Sequence, residues 1–156
     1  MSRLFFTGCT HFGHANIIKL ANRPFADIKQ MDEALTDYWN ETVRPSDRVY
    51  HLGDFAWWKK DPMPYLDRLN GEIILLRGNH DPDNWGEVYC EIKRYKRLWC
   101  MMHYPIEEWN GWFRGAAHVH CHTHKKQLVS AERRFNVGVD ATAFRPINID
   151  ELEALI

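Results

Sequence analysis

Metal-ligand residue types are clustered directly after short strand-like runs, and this repeated arrangement constrains the fold most. The clearest cluster is Gly78-Asn79-His80-Asp81, which follows the apolar run Ile73-Ile74-Leu75-Leu76. The other clusters are Cys9-Thr10-His11, Gly53-Asp54, His103 and His122-Thr123-His124. Side chains at the carboxyl ends of strands point into the crevice where α/β proteins bind ligands. One site assembled from several strand ends is therefore the simplest interpretation.

The periodicity of apolar residues predicts an α/β domain whose second half consists mostly of strands. The clearest helical pattern covers residues 31–43, and shorter helices are predicted at 15–21, 62–69 and 151–156, the last capped by Asp150. Strands are predicted at 3–7, 48–52, 72–76, 91–95, 98–102, 117–121 and 134–139, with a loop at 104–117. A chain of 156 residues is expected to form a single domain, residues 1–156.

Charge and cysteine usage exclude several classes of protein. The net charge of −1 provides no basic field for strong non-specific nucleic-acid binding, although a small phosphate substrate stays possible. No apolar run approaches transmembrane length, so no membrane partner is expected. The four cysteines form no disulfide framework or CxxC pair, and the apolar start of the chain is too short for a signal peptide. These features favour a cytoplasmic location and leave the oligomeric state open.

The clusters contain more metal ligands than one four-coordinate ion needs. On an extended chain, residues i and i+2 project to the same side, which predicts that Cys9 and His11 face one point, and likewise His122 and His124. Asp54 follows a glycine, and its two oxygens can bridge two cations. The pattern therefore suits two divalent ions, Mn, Fe, Zn or Ni. The candidate ligands are Cys9, His11, Asp54, Asn79, His103, His122 and His124.

Other residues near these clusters are candidates for catalysis and substrate binding. Two adjacent metal ions are suited to in-line displacement at phosphorus by an acidified bridging water. His80 is then expected to bind the phosphoryl oxygen or protonate the leaving oxygen, with Asp81 orienting its ring. His14 and Arg23 are candidates for binding the substrate phosphate. For Arg23, a salt bridge at a helix end is an equally good alternative.

Taken together, Gly53-Asp54, Gly78-Asn79-His80-Asp81, His103 and His122-Thr123-His124 resemble the calcineurin-like metallophosphoesterase superfamily. Order and spacing match from Leu4 to about Val139. Three further stretches resemble its small, cap-less bacterial and phage members: Thr10-His11-Phe12-Gly13-His14, Asn22-Arg23-Pro24-Phe25 and Phe135-Asn136-Val137-Gly138-Val139-Asp140. The resemblance implies a four-layer α/β fold, with two mixed β-sheets packed face to face and helices outside.

The resemblance also implies roles for the site residues. Asp54 would bridge the metals, with His80 as the catalytic histidine. His11 and His124 would serve one metal, and Asn79, His103 and His122 the other. The chain departs from the family where Cys9 replaces the usual Asp and Cys121 the usual Gly. A Cys9 thiolate would favour Zn or Fe over Mn or Mg, whereas a neutral buried thiol would leave that metal weakly held.

The leading hypothesis is a metal-dependent phosphodiesterase in which a metal-bridging hydroxide attacks phosphorus. No Asp-Arg-Gly follows Gly53-Asp54, unlike the variant that protein phosphatases of the superfamily carry. A cap-less site would admit phosphate esters such as cyclic nucleotides, nucleic-acid ends or artificial diesters. Cys9 motivates the alternative, a non-catalytic binding module with a decayed first metal site. A third, weaker interpretation is a protein that holds metal for structural purposes.

The remaining histidines and the loop tryptophans have competing interpretations. His51, His118 and His120 are predicted to be hydrogen-bonded structural residues. The loop tryptophans could stack on a ring of the substrate or pack the loops onto the domain, and packing is favoured for most of them. They are Trp57, Trp58, Trp109 and Trp112.

Overall fold

The computed structural model describes residues 1–156 and contains two mixed β-sheets. The strands are β1 (Leu4–Thr7), β2 (Arg48–His51), β3 (Glu72–Leu75), β4 (Tyr89–Arg94), β5 (Arg97–Met102), β6 (Ala117–His120), β7 (Val129–Ala131), β8 (Arg134–Asn136) and β9 (Ile147–Asn148). The first sheet has the order β3-β2-β1-β9, in which only β9 is antiparallel to its neighbour. The second has the order β4-β5-β6-β8-β7, with parallel pairing from β5 through β8.

All seven predicted strands form, with their ends shifted by up to three residues. The prediction missed β7 and β9, which have only three and two residues and so show too few alternations to register as strands. It also missed two short 3₁₀ helices, Trp112–Arg114 and Val139–Ala141. No helix combines the length and the apolar composition that crossing a membrane requires.

The helices are α1 (Asn16–Leu20), α2 (Ile28–Thr42), α3 (Met63–Leu66) and α4 (Ile149–Glu153). α2 starts earlier than predicted because the Asp27 side chain accepts the Gln30 backbone N–H at 2.8 Å. Asp150 is not the cap of α4, so that prediction was wrong. Asn148 caps this helix instead, accepting the Asp150 backbone N–H at 2.9 Å, and Glu151 completes a capping box.

One apolar layer lies between the two sheets. Phe6 of the first sheet stacks on Trp99 of the second, with ring centroids 5.9 Å apart. Other buried members of this layer are Tyr50, Leu52, Leu76, Met101, Val119 and Phe135. The predicted arrangement of two packed mixed sheets is confirmed by this shared core.

The outer faces of the two sheets are covered in different ways. Leu35 and Trp39 of α2 pack with Phe5 and Val49 on the outer face of the first sheet. On the second sheet, the loop between β5 and β6 supplies the cover, and its Trp109 donates a hydrogen bond to the carbonyl of Ala116 at 3.0 Å. Trp109 is therefore a packing residue, as favoured for most of the loop tryptophans.

Strand register brings the predicted clusters to one edge of the molecule. Thr7 pairs with His51, and His51 pairs with Leu75, so β1, β2 and β3 end side by side. In the second sheet, Met101 pairs with Val119 near the ends of β5 and β6. The segments that follow these five strands carry the candidate ligands, and they leave both sheets at this common edge.

Candidate metal centre

Most of the candidate ligands have a left-handed backbone conformation. Such φ angles are uncommon outside glycine and cluster at functional sites. The ligands concerned are Cys9 (52°), His11 (52°), Asp54 (54°), His122 (65°) and His124 (53°). Their segments are therefore not extended, and the alternation of an extended strand does not apply to them. The prediction that His122 and His124 face one point was wrong, because the turn separates them into different groups.

Two glycines allow the loops that carry Asp54 and Asn79 to touch. Gly53 has φ of +99°, and a Cβ built on it would lie 2.6 Å from the Cα of Gly78. A Cβ on Gly78 would in turn lie 2.8 Å from Cε1 of His103. Glycine is therefore required at both positions, and the close backbone approach brings the ends of β2 and β3 against His103.

In the first ligand group, the candidate ligand atoms lie around Nε2 of His103. Its Nδ1–H donates to the carbonyl oxygen of Leu52 at 2.8 Å, so Nε2 carries a lone pair in the neutral ring. That Nε2 lies 3.0 Å from Oδ1 of Asn79, 3.1 Å from Nδ1 of His122 and 3.3 Å from Oδ2 of Asp54. Ligand atoms 2.0–2.2 Å from a cation are separated by about 3.0–3.4 Å. The spacing and chemistry of these atoms fit a divalent cation.

The second group lies on the other side of Asp54. The ligand atoms of Cys9, His11 and His124 lie within 4.8 Å of one another. Nε2 of His11 is 3.5 Å from Oδ2 of Asp54 and is buried without a hydrogen-bond partner. Burial lowers the pKa of His11 well below its ordinary value, which keeps the ring neutral and its lone pair available. This orphaned nitrogen fits a cation, and Oδ2 of Asp54 faces both groups.

Asp140 contacts one of the candidate ligands, a contact that the sequence did not predict. Its Oδ2 accepts the Nδ1–H of His124 at 2.8 Å, which leaves Nε2 of that ring for a metal. Burial acts to raise the pKa of Asp140, but hydrogen bonds from His124 and Arg23 outweigh it and lower that pKa. The available signal was an Asp at the end of the stretch 135–140, just past a strand.

Arg23 does not face the substrate, so the predicted phosphate-binding role was wrong. Its side chain is fully buried and donates to both carboxylate oxygens of Asp140 at 2.9 and 3.0 Å. It also donates to the carbonyls of Cys9 at 2.6 Å and Thr10 at 2.9 Å, and to the sulfur of Met31. The alternative of a salt bridge at a helix end is correct: the backbone N–H of Arg23 donates to the carbonyl of Ile18 at the end of α1, and its side chain pairs with Asp140 while fixing the turn that presents Cys9.

Asp81 also has a different role from the one predicted. Its carboxylate accepts backbone N–H groups of Asp54 at 2.6 Å, Gly78 at 2.7 Å and Phe55 at 3.1 Å. It makes no hydrogen bond to the His80 ring, so the predicted orienting contact is absent. His80 is positioned instead by its backbone N–H, which donates to Oδ1 of Asp54 at 2.8 Å.

His80 and His14 lie beside the second ligand group. The His80 ring centroid is 5.5 Å from that of His11, and its nitrogens have no partner within the protein. The ring of His14 stacks on Trp57 with centroids 4.2 Å apart, and its Nδ1 lies 3.2 Å from Nδ1 of His11. This position at the site edge is compatible with the predicted phosphate contact of His14, which stays a prediction.

The two departures from the family pattern are adjacent in space. Sγ of Cys9 accepts the backbone N–H of His122 at 3.2 Å. Cys121 fits because residue 8 is glycine: a Cβ on Gly8 would lie 2.6 Å from Sγ of Cys121. Burial raises the pKa of the Cys121 thiol well above its ordinary value, and its S–H donates to the carbonyl of Leu52 at 3.4 Å. Cys121 is therefore a packing residue, and its protonated Sγ lies within 4.8 Å of ligand atoms of Cys9 and His103.

The three remaining histidines are structural, as predicted. His51 accepts the Gly53 backbone N–H at its Nδ1 and donates from Nε2 to Thr10, and burial lowers its pKa to about 3. Burial likewise lowers the pKa of His118 and of His120 to about 4. Each of these rings is hydrogen-bonded as a neutral side chain.

A family model for calcineurin-like phosphoesterases matches residues 2–149. The chain belongs to the calcineurin-like phosphoesterase family. This confirms the resemblance drawn from the motifs and implies metal dependence and a phosphate-ester substrate.

Known relatives of this calcineurin-like phosphoesterase match it over nearly their full lengths. An uncharacterised protein of Methanocaldococcus jannaschii is 34% identical over 164 residues, covering 100% of this chain and 92% of the relative. The gene 66 protein of Mycobacterium phage L5 is 23% identical over 198 residues, covering 100% and 95%. The crystal structure of a protein of unknown function from Aquifex aeolicus is 25% identical, with a TM-score of 0.82 and 100% of both chains covered.

Proposed function

We propose that this protein is a metal-dependent phosphodiesterase and that His80 takes part in its reaction. One observation carries the proposal: the ligand atoms of two groups converge on Asp54, directly beside the His80 ring, whose nitrogens have no hydrogen-bond partner within the protein. A structural metal site would need no free histidine at its mouth. The family match over residues 2–149 supports phosphate-ester chemistry for this domain.

The proposed centre would hold two divalent ions, with Asp54 available as a ligand to both. Asn79, His103 and His122 complete one ligand set, and Cys9, His11 and His124 complete the other. The ions would neutralise the phosphoryl oxygens and supply an acidified water as the nucleophile. Nitrogen and carboxylate ligands suit Mn, Fe, Ni or Zn, while the Cys9 thiolate favours Zn or Fe in its own group.

His80 is placed to move a proton or to bind a phosphoryl oxygen. Its backbone is fixed by Oδ1 of Asp54, so its position depends on the same carboxylate that joins the ligand groups. Its ring nitrogens are free to donate a hydrogen bond to phosphate or a proton to the leaving oxygen. Asp81 is a positioning residue, because its carboxylate holds the backbone of Asp54 in place.

The cavity at the site is open enough to admit the second ester group of a diester. An open cavity of about 360 Å³ lies at the site, and its lining contains neither Lys nor Arg. The lining residues are Trp58, Asn79, His80, Asp81, Pro82 and Asp83. Arg23 is buried against Asp140 and cannot supply a charge to this cavity. The bound ions would supply the positive charge that a phosphate ester needs, and the open cavity leaves room for the second ester group of a diester.

The proposal is tested with bis-p-nitrophenyl phosphate and, for comparison, p-nitrophenyl phosphate. Chelated protein is reconstituted with Mn, Fe, Ni or Zn, and metal content is measured on each sample. We expect turnover of the diester, and His80→Ala should lower kcat by about 10²–10⁴-fold. Asn84→Ala is the matched control, because this exposed residue lies in the same loop but does not line the cavity.

Two outcomes would contradict the proposal. The first is no turnover with any ion in samples that hold metal. The second is turnover that His80→Ala leaves equal to that of the wild-type protein. Less than one bound ion per chain, together with a stable protein complex from lysate, would instead favour the binding-module alternative.

A further inference from the structure

Trp58 has the most exposed indole of the loop tryptophans. It is 59% exposed, whereas Trp109 is 5% exposed and packs into the loop core. Trp57 stacks on His14, with ring centroids 4.2 Å apart. An exposed indole forfeits much of the stabilisation that burial of such a large apolar surface provides. The exposed face of this indole is therefore available to a ligand.

The Trp58 indole lines the same cavity as two of the proposed functional residues. Asn79, a candidate metal ligand, and His80 form part of the cavity wall, with Pro82 as a further apolar surface. The cavity volume of about 360 Å³ lies within the range of small-ligand pockets, roughly 300–1,000 Å³. A ring held against Trp58 would share this cavity with a phosphate beside Asn79 and His80.

The contacts that Trp58 makes within the protein are weak, so a ligand can replace them. The Nζ of Lys59 lies 4.8 Å from the centre of its ring, and the Trp57 ring is tilted against it at 5.9 Å. An exposed cation–π contact is weak, whereas stacking of a nucleobase on an aromatic side chain is substantial. Asp83 on the same wall has no side-chain hydrogen bond within the protein and provides an acceptor for N–H groups of a base.

We infer that Trp58 is the stacking platform for a nucleobase, so that the preferred substrates are phosphodiesters of nucleosides. This inference rests on the proposed phosphodiesterase function and specifies its substrate class. Stacking is tolerant of base identity, since every base has a π face. The Trp58 indole thus selects for the presence of a base, and the phosphoryl chemistry is the same for all these diesters.

The test compares two diesters that share a leaving group. The probes are the p-nitrophenyl ester of thymidine 5′-monophosphate and methyl p-nitrophenyl phosphate. Trp58→Ala should lower kcat/KM for the thymidine ester by about 5- to 100-fold and change that for the methyl ester by less than about twofold. Trp58→Phe should restore most of the loss. Trp112→Ala is the matched control, because this partly exposed tryptophan does not line the cavity.

Binding of thymidine 5′-monophosphate, measured by calorimetry on metal-loaded protein, tests the platform without turnover. Trp58→Ala should weaken this binding, and Trp112→Ala should leave it unchanged. Equal losses on both esters, or unchanged nucleotide binding in Trp58→Ala, would overturn the inference. If wild-type protein hydrolyses neither ester, the proposed function fails, and nucleotide binding alone then decides whether Trp58 stacks a base.

Discussion

The carboxylate of Asp81 accepts the backbone N–H of Asp54 at 2.6 Å. The same carboxylate accepts N–H groups of Gly78 and Phe55, and thereby joins the turn after β3 to the turn after β2. Asp54 in turn accepts the backbone N–H of His80. The relationship between the two aspartates therefore sets where the shared ligand and the free histidine lie relative to each other.

Replacing Asp81 should weaken both the fold and the metal site. Asp81→Ala leaves three backbone N–H groups without their acceptor, each worth about 1–3 kcal/mol when buried and unpaired. We expect the free energy of unfolding to fall by about 3 kcal/mol and metal affinity to fall about 10- to 100-fold. Urea denaturation and metal titration would measure these effects, with Asp83→Ala as the control. A loss of kcat with unchanged stability and metal affinity would instead support the predicted contact with the His80 ring.

Arg23 should contribute to stability rather than to substrate affinity. Arg23→Met would leave Asp140 buried without its cation, and breaking a buried pair costs about 3–5 kcal/mol. Arg48→Met is the control, since its ion pair with Glu72 is exposed and contributes little to stability. Thermal denaturation would measure both variants. A raised KM for the diester, with stability equal to that of the control, would restore the phosphate-binding role.

Asp140 should control metal affinity through His124. Asp140→Asn replaces the carboxylate that accepts the Nδ1–H of His124, so the ring loses its orientation and some basicity. We expect affinity for one ion to fall about 10- to 100-fold, while the ion held by the His103 group is retained. Stepwise calorimetric titration of chelated protein would separate the two ions. Equal weakening of both steps would contradict the separation into two ligand groups.

Cys9 should determine which metal its group prefers. A thiolate favours Zn over Mn, whereas a carboxylate accepts Mn readily. Cys9→Asp is therefore expected to shift metal content towards Mn when the two ions compete, and Cys9→Ala to reduce the content by one ion per chain. Cys90→Ser is the matched control, because this half-buried cysteine belongs to no ligand group. Unchanged metal content in Cys9→Ala would show that the thiol is a neutral packing group.

His118 should make the protein less stable in mild acid. Burial lowers its pKa from 6.5 to about 4, so the folded protein holds the neutral ring while the unfolded chain takes up a proton below pH 6.5. Stability is then lost as pH falls from 6.5 to about 4, by about 2 kcal/mol at pH 5 from this group. His118→Gln should be less stable at pH 7.5 but lose less stability on acidification. An equally steep loss in the variant would exclude His118 as a source.

The sequence by itself established the strand ends, the long helix and the types of ligand. Alternation and apolar runs are local patterns, which is why β1, β2, β3 and most of α2 were predicted with small errors at their ends. The order of the clusters Gly53-Asp54 and Gly78-Asn79-His80-Asp81 was sufficient to identify the family. Short elements such as β9 were missed, because two residues carry no period and pair only through tertiary contact.

Tertiary structure alone decided how the candidate ligands divide into two groups and which residues hold them in place. His122 and His124 separate because each adopts a left-handed conformation, which spacing along the chain does not encode. Arg23 turns away from the substrate because Asp140, 117 residues later, lies beside it and neutralises its charge. Residue type limits which bonds a side chain can form, whereas the choice among partners depends on distances that exist only once the chain is folded.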